Sequence, residues 1–205
     1  YAAQFGMVAV FGAQIGLSVD RISLLIGGIY MAALLAQYPI GWASDRMDRR
    51  QLILALAVLG AATMVVPVLA EPGFTLLVVI GFVLGGVTNP MYSLVLAYVN
   101  DYLDPSDMPA ASAGLVFING LGAIGGPLIT GWMMGQIGPA GFFLYIGVLY
   151  VLLAGYAGWR MTQRAAPSPD ETGGYAMVMP SASVVAVEAV IEASHEEAED
   201  EPALG

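Results

Sequence analysis

The chain has 205 residues, 58% hydrophobic and only 11% charged, and a net charge of −10. A water-soluble domain carries about 25% charged residues, so this composition excludes a body that meets water on all sides. With no cysteine and one histidine, disulfides and thiolate metal sites are excluded, and no metal or other cofactor is expected.

The charge is unevenly placed. Up to Arg164, six arginines stand against seven acids; from Ala165 onward there are nine acids and no base. The acidity belongs to the C-terminal segment and says nothing of the apolar body's partners, among which nucleic acid is not expected.

Six apolar stretches follow one another, at about 1–17, 22–44, 51–70, 73–99, 110–135 and 140–159. A helix needs about 20 residues to cross a hydrocarbon core of about 30 Å, and the last five stretches reach that length. The first opens at Tyr1 with neither an initiator methionine nor a charged flank, so the chain is read as a piece of a longer protein. Soluble helical cores have shorter apolar runs, interrupted on one face; here no charge falls within any run. The expected fold is all-α: a polytopic membrane bundle of six transmembrane helices over residues 1–160. An acidic, disordered tail over 161–205 follows.

Arginine placement sets the expected orientation. Arg46, Arg49 and Arg50 lie between stretches two and three, and Arg160 and Arg164 follow stretch six, on the same side by parity. Arg21 alone lies opposite. The positive-inside rule then puts the charged turn and the tail in the cytoplasm of a bacterial inner membrane.

The turn itself reads "PIGWASDRMDRRQLIL", residues 39–54. Gly41 offers no side chain, so a neighbouring helix can come close. Asp45 can accept from a helix N-terminus. Arg49, four residues on, can fold back to Asp45 and reach Asp101 at the end of stretch four, with Asp104 and Asp107 behind it.

Gly41 through Arg50 resembles the G-x-x-x-D-[RK]-x-G-[RK]-[RK] loop of the major facilitator superfamily of secondary transporters, with Asp48 where the family has glycine. The resemblance implies a solute transporter working by alternating access, in which Gly41, Asp45, Arg46, Arg49, Arg50 and Asp101 form a cytoplasmic latch. It also implies two six-helix halves. A polar tail follows these spans instead of six more, so the chain is read as the C-terminal half, helices seven to twelve. Its implied partners are the bilayer, a small-molecule substrate, the N-terminal half, whose helix Asp45 would cap, and protons as a coupling ion.

Stretch four, "GGVTNPMYSLVLAYVND", carries a polar stripe. Asn89, Ser93 and Asn100 fall within about 40° of one another at 100° per residue, with Tyr92 alongside. Pro90 removes the bond to the Gly86 carbonyl and is expected to kink the helix near Gly85. Asn89, Tyr92 and Ser93 are therefore substrate-binding candidates, followed by Gln4, Gln14 and Asn119, and then Gln37, Tyr38 and Tyr30. Interhelical hydrogen bonding is the alternative role for each.

Stretch five holds two G-x-x-x-G pairs, Gly122 with Gly126 and Gly131 with Gly135, expected to let a partner backbone pack closely. Gly122, Gly126, Pro127 and Gly131 also resemble the superfamily's antiporter motif, with Thr130 in place of a glycine. Drug–proton antiport is the alternative function that this implies. No Asp, Glu, His, Lys or Arg lies inside a span, so a proton-coupling group is expected in the other half.

In the tail, Val184, Val187, Val190 and Ile191 share one helical face, and His195 sits among glutamates. An enzyme would need clustered catalytic groups, and the aspartates after stretch four lack a histidine, cysteine or metal partner. No enzymatic activity is expected. A scaffold or receptor would not need both the polar stripe and the charged turn.

Overall fold

The computed structural model describes residues 1–101 and 108–163, and all their regular structure is helical: α1 (Ala2–Gln14), α2 (Val19–Ser44), α3 (Arg49–Leu69), α4 (Phe74–Asn100), α5 (Met108–Ile137) and α6 (Ala140–Gln163). Helices α2 to α6 are long and apolar enough to cross a membrane, whereas the 13 residues of α1 reach only about 20 Å at 1.5 Å per residue. The acidic tail, Asp104, Asp107 and His195 lie outside the described residues.

Helix ends follow local chemistry. Helix α1 stops because Gly16 takes a left-handed φ of 73°. There the amide of Leu17 bonds to the Gly12 carbonyl and that of Gly16 to the Ala13 carbonyl, closing a Schellman turn. Gly138, at φ 78°, makes the corresponding break before Pro139 opens α6.

Neighbour by neighbour, the helices close a ring, α1–α2–α4–α3–α6–α5 and back to α1, and α1 also touches α6 across it. The tightest seam is α2 against α4, where a Cβ on Gly85 would overlap the backbone carbonyl of Ile29. The helical assignment of α4 runs unbroken through Pro90, which is itself fully buried. At the end away from the charged turn, Phe11 stacks on Phe142 at 5.2 Å and meets Phe143 edge-on at 4.9 Å.

The core is apolar, as in a water-soluble bundle, but here the outer surface is apolar too. Helix α4 is the most enclosed span, with 56% of its apolar stretch buried; α5 has 11%. Leu34, Tyr38, Phe117, Ile124 and Leu128 stand exposed on α2 and α5, and Arg21, Arg49, Arg50 and Arg160 are confined to terminal turns. This pattern suits hydrocarbon surroundings or further apolar helices.

Within the ring, the glycines of α5 do not act as matched pairs. Gly126 lies against the α1 backbone, 3.2 Å from the amide nitrogen of Ala3 to a hypothetical Cβ, and Gly131 meets only the tip of Met7. Gly122 and Gly135 have nothing within 4 Å of a hypothetical Cβ among the described residues. Pro127 rests against Gly6.

Candidate functional site

The charged turn comprises only four residues, 45–48, between α2 and α3. None of them adopts a positive φ. Asp48, at φ −57° and ψ 114°, is the N-cap of α3: its Oδ1 accepts from the backbone amide of Arg50 at 2.9 Å. The Arg50 guanidinium turns back onto the same carboxylate, with Nη2 at 3.0 Å and Nε at 3.1 Å. The position where a glycine was expected is thus a capping position, and carboxylate chemistry rather than backbone freedom shapes it.

Arg49 points the other way, into the bundle. Its Nη1 donates to Asp101 Oδ1 at 2.5 Å and lies 3.5 Å from the Ala97 carbonyl, its Nε donates to Ser44 Oγ at 3.1 Å, and its Nη2 is 3.8 Å from Asp45. Arg49 is 4% exposed and the Asp101 side chain 3%, so this is a desolvated, charge-assisted pair. Asp45 stays near water at 44%. One guanidinium therefore ties together the end of α2, the start of α3 and the end of α4.

The five charges of the turn divide into three groups. Asp45 and Arg49 join Asp101; Asp48 holds Arg50; Arg46 lies over the Trp42 ring at 4.4 Å and donates to the Trp42 carbonyl. Gly41 is buried one turn before. Ser44 was absent from the sequence candidates, although a serine five residues ahead of an arginine at a helix junction is a usable signal.

The polar stripe of α4 is divided by burial. Asn89 and Ser93 are each 1% exposed and face inward, while Tyr92 is half-buried. Asn89 Oδ1 and Gln4 Nε2 are buried without a hydrogen-bond partner among the described residues. Next to Asn89, the Thr88 hydroxyl is within 2.6 Å of Gln4 Oε1, 2.7 Å of the Tyr150 hydroxyl and 2.8 Å of the Leu84 carbonyl, linking α1, α4 and α6. Thr88 and Tyr150 were not singled out from sequence; adjacency to Asn89 was the only cue.

The second-rank candidates scatter. Gln14 is exposed at the opposite end of the bundle, its amide 3.5 Å from the Met134 carbonyl, and is not gathered with Asn89. Asn119 is half-buried on α5, Gln37 is buried on α2, and Tyr30 and Tyr38 are exposed. Thr130, completely buried, donates to the Gly126 carbonyl at 2.7 Å, so its hydroxyl is satisfied within its own helix.

A family model described as Major Facilitator Superfamily matches residues 1–191. The chain belongs to the Major Facilitator Superfamily. Over 146 residues it is 29% identical to an uncharacterized MFS-type transporter, YfkF, of Bacillus subtilis (strain 168); the match covers 69% of this chain and 36% of the relative. The chain thus spans about a third of the length of the curated relative it matches. Superfamily membership and the apolar helices together make it a multi-pass membrane protein of transporter type.

Proposed function

We propose that this chain is the C-terminal six-helix half of a secondary transporter that carries a small solute by alternating access. In this reading the Arg49–Asp101 pair clasps the cytoplasmic end shut. The observation that carries it is a buried ion pair, 2.5 Å long, joining the start of α3 to the end of α4 beside the turn that resembles the superfamily loop. An ion pair so desolvated is retained only with close geometry and extra hydrogen bonds, which Ser44 and the Ala97 carbonyl supply. Separating the two helix ends in water would release both charges, so the pair favours one state over the other.

Solute contact is assigned to α4. Asn89 is the first choice, because its Oδ1 is a buried acceptor with no partner among the described residues, and the half-buried Tyr92 is the second. Among the described residues no Asp, Glu, His, Lys or Arg lies in mid-span, and this supports seeking any proton-coupling group in the other half. The arginine distribution supports a cytoplasmic clasp and tail in an inner membrane.

The test is flux in proteoliposomes holding the transporter that contains this chain, loaded with a mixed pool of small metabolites. The parent should exchange at least one solute, and Arg49→Ala, inserted to the same level, should lose that flux. Equal flux in both removes the clasp. No flux of any solute by the parent removes the transport reading.

A further inference from the structure

We infer that the cavity at the end of the bundle opposite the clasp binds a zwitterionic small molecule with an apolar body. The cavity measures about 830 Å³, within the roughly 300–1,000 Å³ typical of small-molecule sites. Its floor is apolar, with Phe11, Leu77 and Phe143 each 5% exposed or less. Its polar lining includes Gln14 from α1, Arg21 from α2 and Glu71 from the α3–α4 connection.

The two charges decide the ligand class. Arg21 is held against the wall with its guanidinium 5.1 Å over the Phe74 ring. Neither Arg21 nor Glu71 forms an ion pair with the other or with any other described residue. A cavity lined by one cation and one anion that do not pair with each other, both exposed at its wall, is complementary to a molecule that carries both. A carboxylate or phosphate fits the planar fork of Arg21, and an ammonium fits Glu71. An apolar body between them covers the aromatic floor and adds burial energy. A singly charged solute engages only half of this lining. A free zwitterion and the headgroup of a zwitterionic lipid share this chemistry.

The inference goes beyond the transport reading, and equilibrium binding tests it without any flux. The probe is phenylalanyl-leucine, titrated into the purified transporter containing this chain while thermal unfolding is followed by tryptophan fluorescence. Saturable stabilisation is expected. The C-terminal amide, which lacks the anion, and the N-acetyl derivative, which lacks the cation, should each bind at least about tenfold more weakly, the worth of one charge-assisted contact.

Arg21→Ala should bind the dipeptide and its amide equally, and Glu71→Gln should bind the dipeptide and its N-acetyl form equally. A purely structural role would weaken all three ligands alike. In nanodiscs, competition by phosphatidylethanolamine but not by phosphatidylglycerol supports the site with a lipid headgroup as its occupant. Indifference to lipid supports it with a free solute. No saturable binding of the dipeptide to the unmodified chain, or one affinity for all three ligands, overturns the inference. This ligand series carries the test even where a variant fails to fold.

Discussion

Replacing Asp101 by asparagine keeps the shape of the side chain and removes its charge. Arg49 then remains 4% exposed and loses its shortest ion pair, leaving Asp45, 3.8 Å away and close to solvent, as the weaker one. Removing one member of a buried pair costs about 3–5 kcal/mol, because the stranded charge stays desolvated. That cost falls on the clasped state alone, since parting α3 from α4 hydrates the guanidinium. The balance should therefore move toward the parted state by roughly two to three and a half powers of ten.

This chain has no cysteine, so in a transporter whose other half is also free of cysteine a single Ala97→Cys reporter can follow this change. Ala97 is 8% exposed, and its carbonyl lies beside Arg49. In the intact transporter, maleimide labelling at this site should accelerate at least about a hundredfold when Asp101→Asn is added. The double change Arg49→Met with Asp101→Leu should restore most of the protection, because both charges leave together. A rate within about twofold of the reporter alone, at equal insertion, refutes the argument.

Ser44→Ala should raise labelling less, for it strands only the Arg49 Nε–H, at about 1–3 kcal/mol, and Ser44→Thr should keep the bond. Gly85→Ala should lower the unfolding midpoint in detergent by the equivalent of about 1–3 kcal/mol or more, because the obstacle is the Ile29 backbone. Gly122→Ala, facing open space, should leave that midpoint unchanged. Thr88→Val should cost about 1–3 kcal/mol for each partner it strands, Gln4 and Tyr150, whereas Thr88→Ser should cost much less; unfolding in detergent reads both.

The helices were legible because uninterrupted apolar runs admit little else at membrane length, and their ends because glycine, proline and charge punctuate the runs. The link from Arg49 to Asp101 was legible because both stand at helix ends on the same side. The partners of Arg46 and Arg50 were not. Three arginines within five positions choose among an aromatic face, a capping carboxylate and the interior according to which neighbours are buried, and no local pattern encodes that. Periodicity groups Asn89, Ser93 and Asn100 in angle, with Tyr92 alongside, but carries no absolute direction. Contact of α4 with α2 and α3 in the ring encloses the first two and leaves Tyr92 half-buried. The same indeterminacy explains α5, where a glycine motif names small surfaces without saying which of them α1 will occupy.

Asp48 has a consequence for recognising such hairpins in other sequences. A rule demanding glycine there presumes that the chain must bend as only glycine can, yet this junction stays in ordinary L-residue geometry and relies on a carboxylate to start the next helix. Aspartate, asparagine or serine at that place should therefore be admitted to the signature, and a search insisting on glycine will pass over hairpins that work equally well.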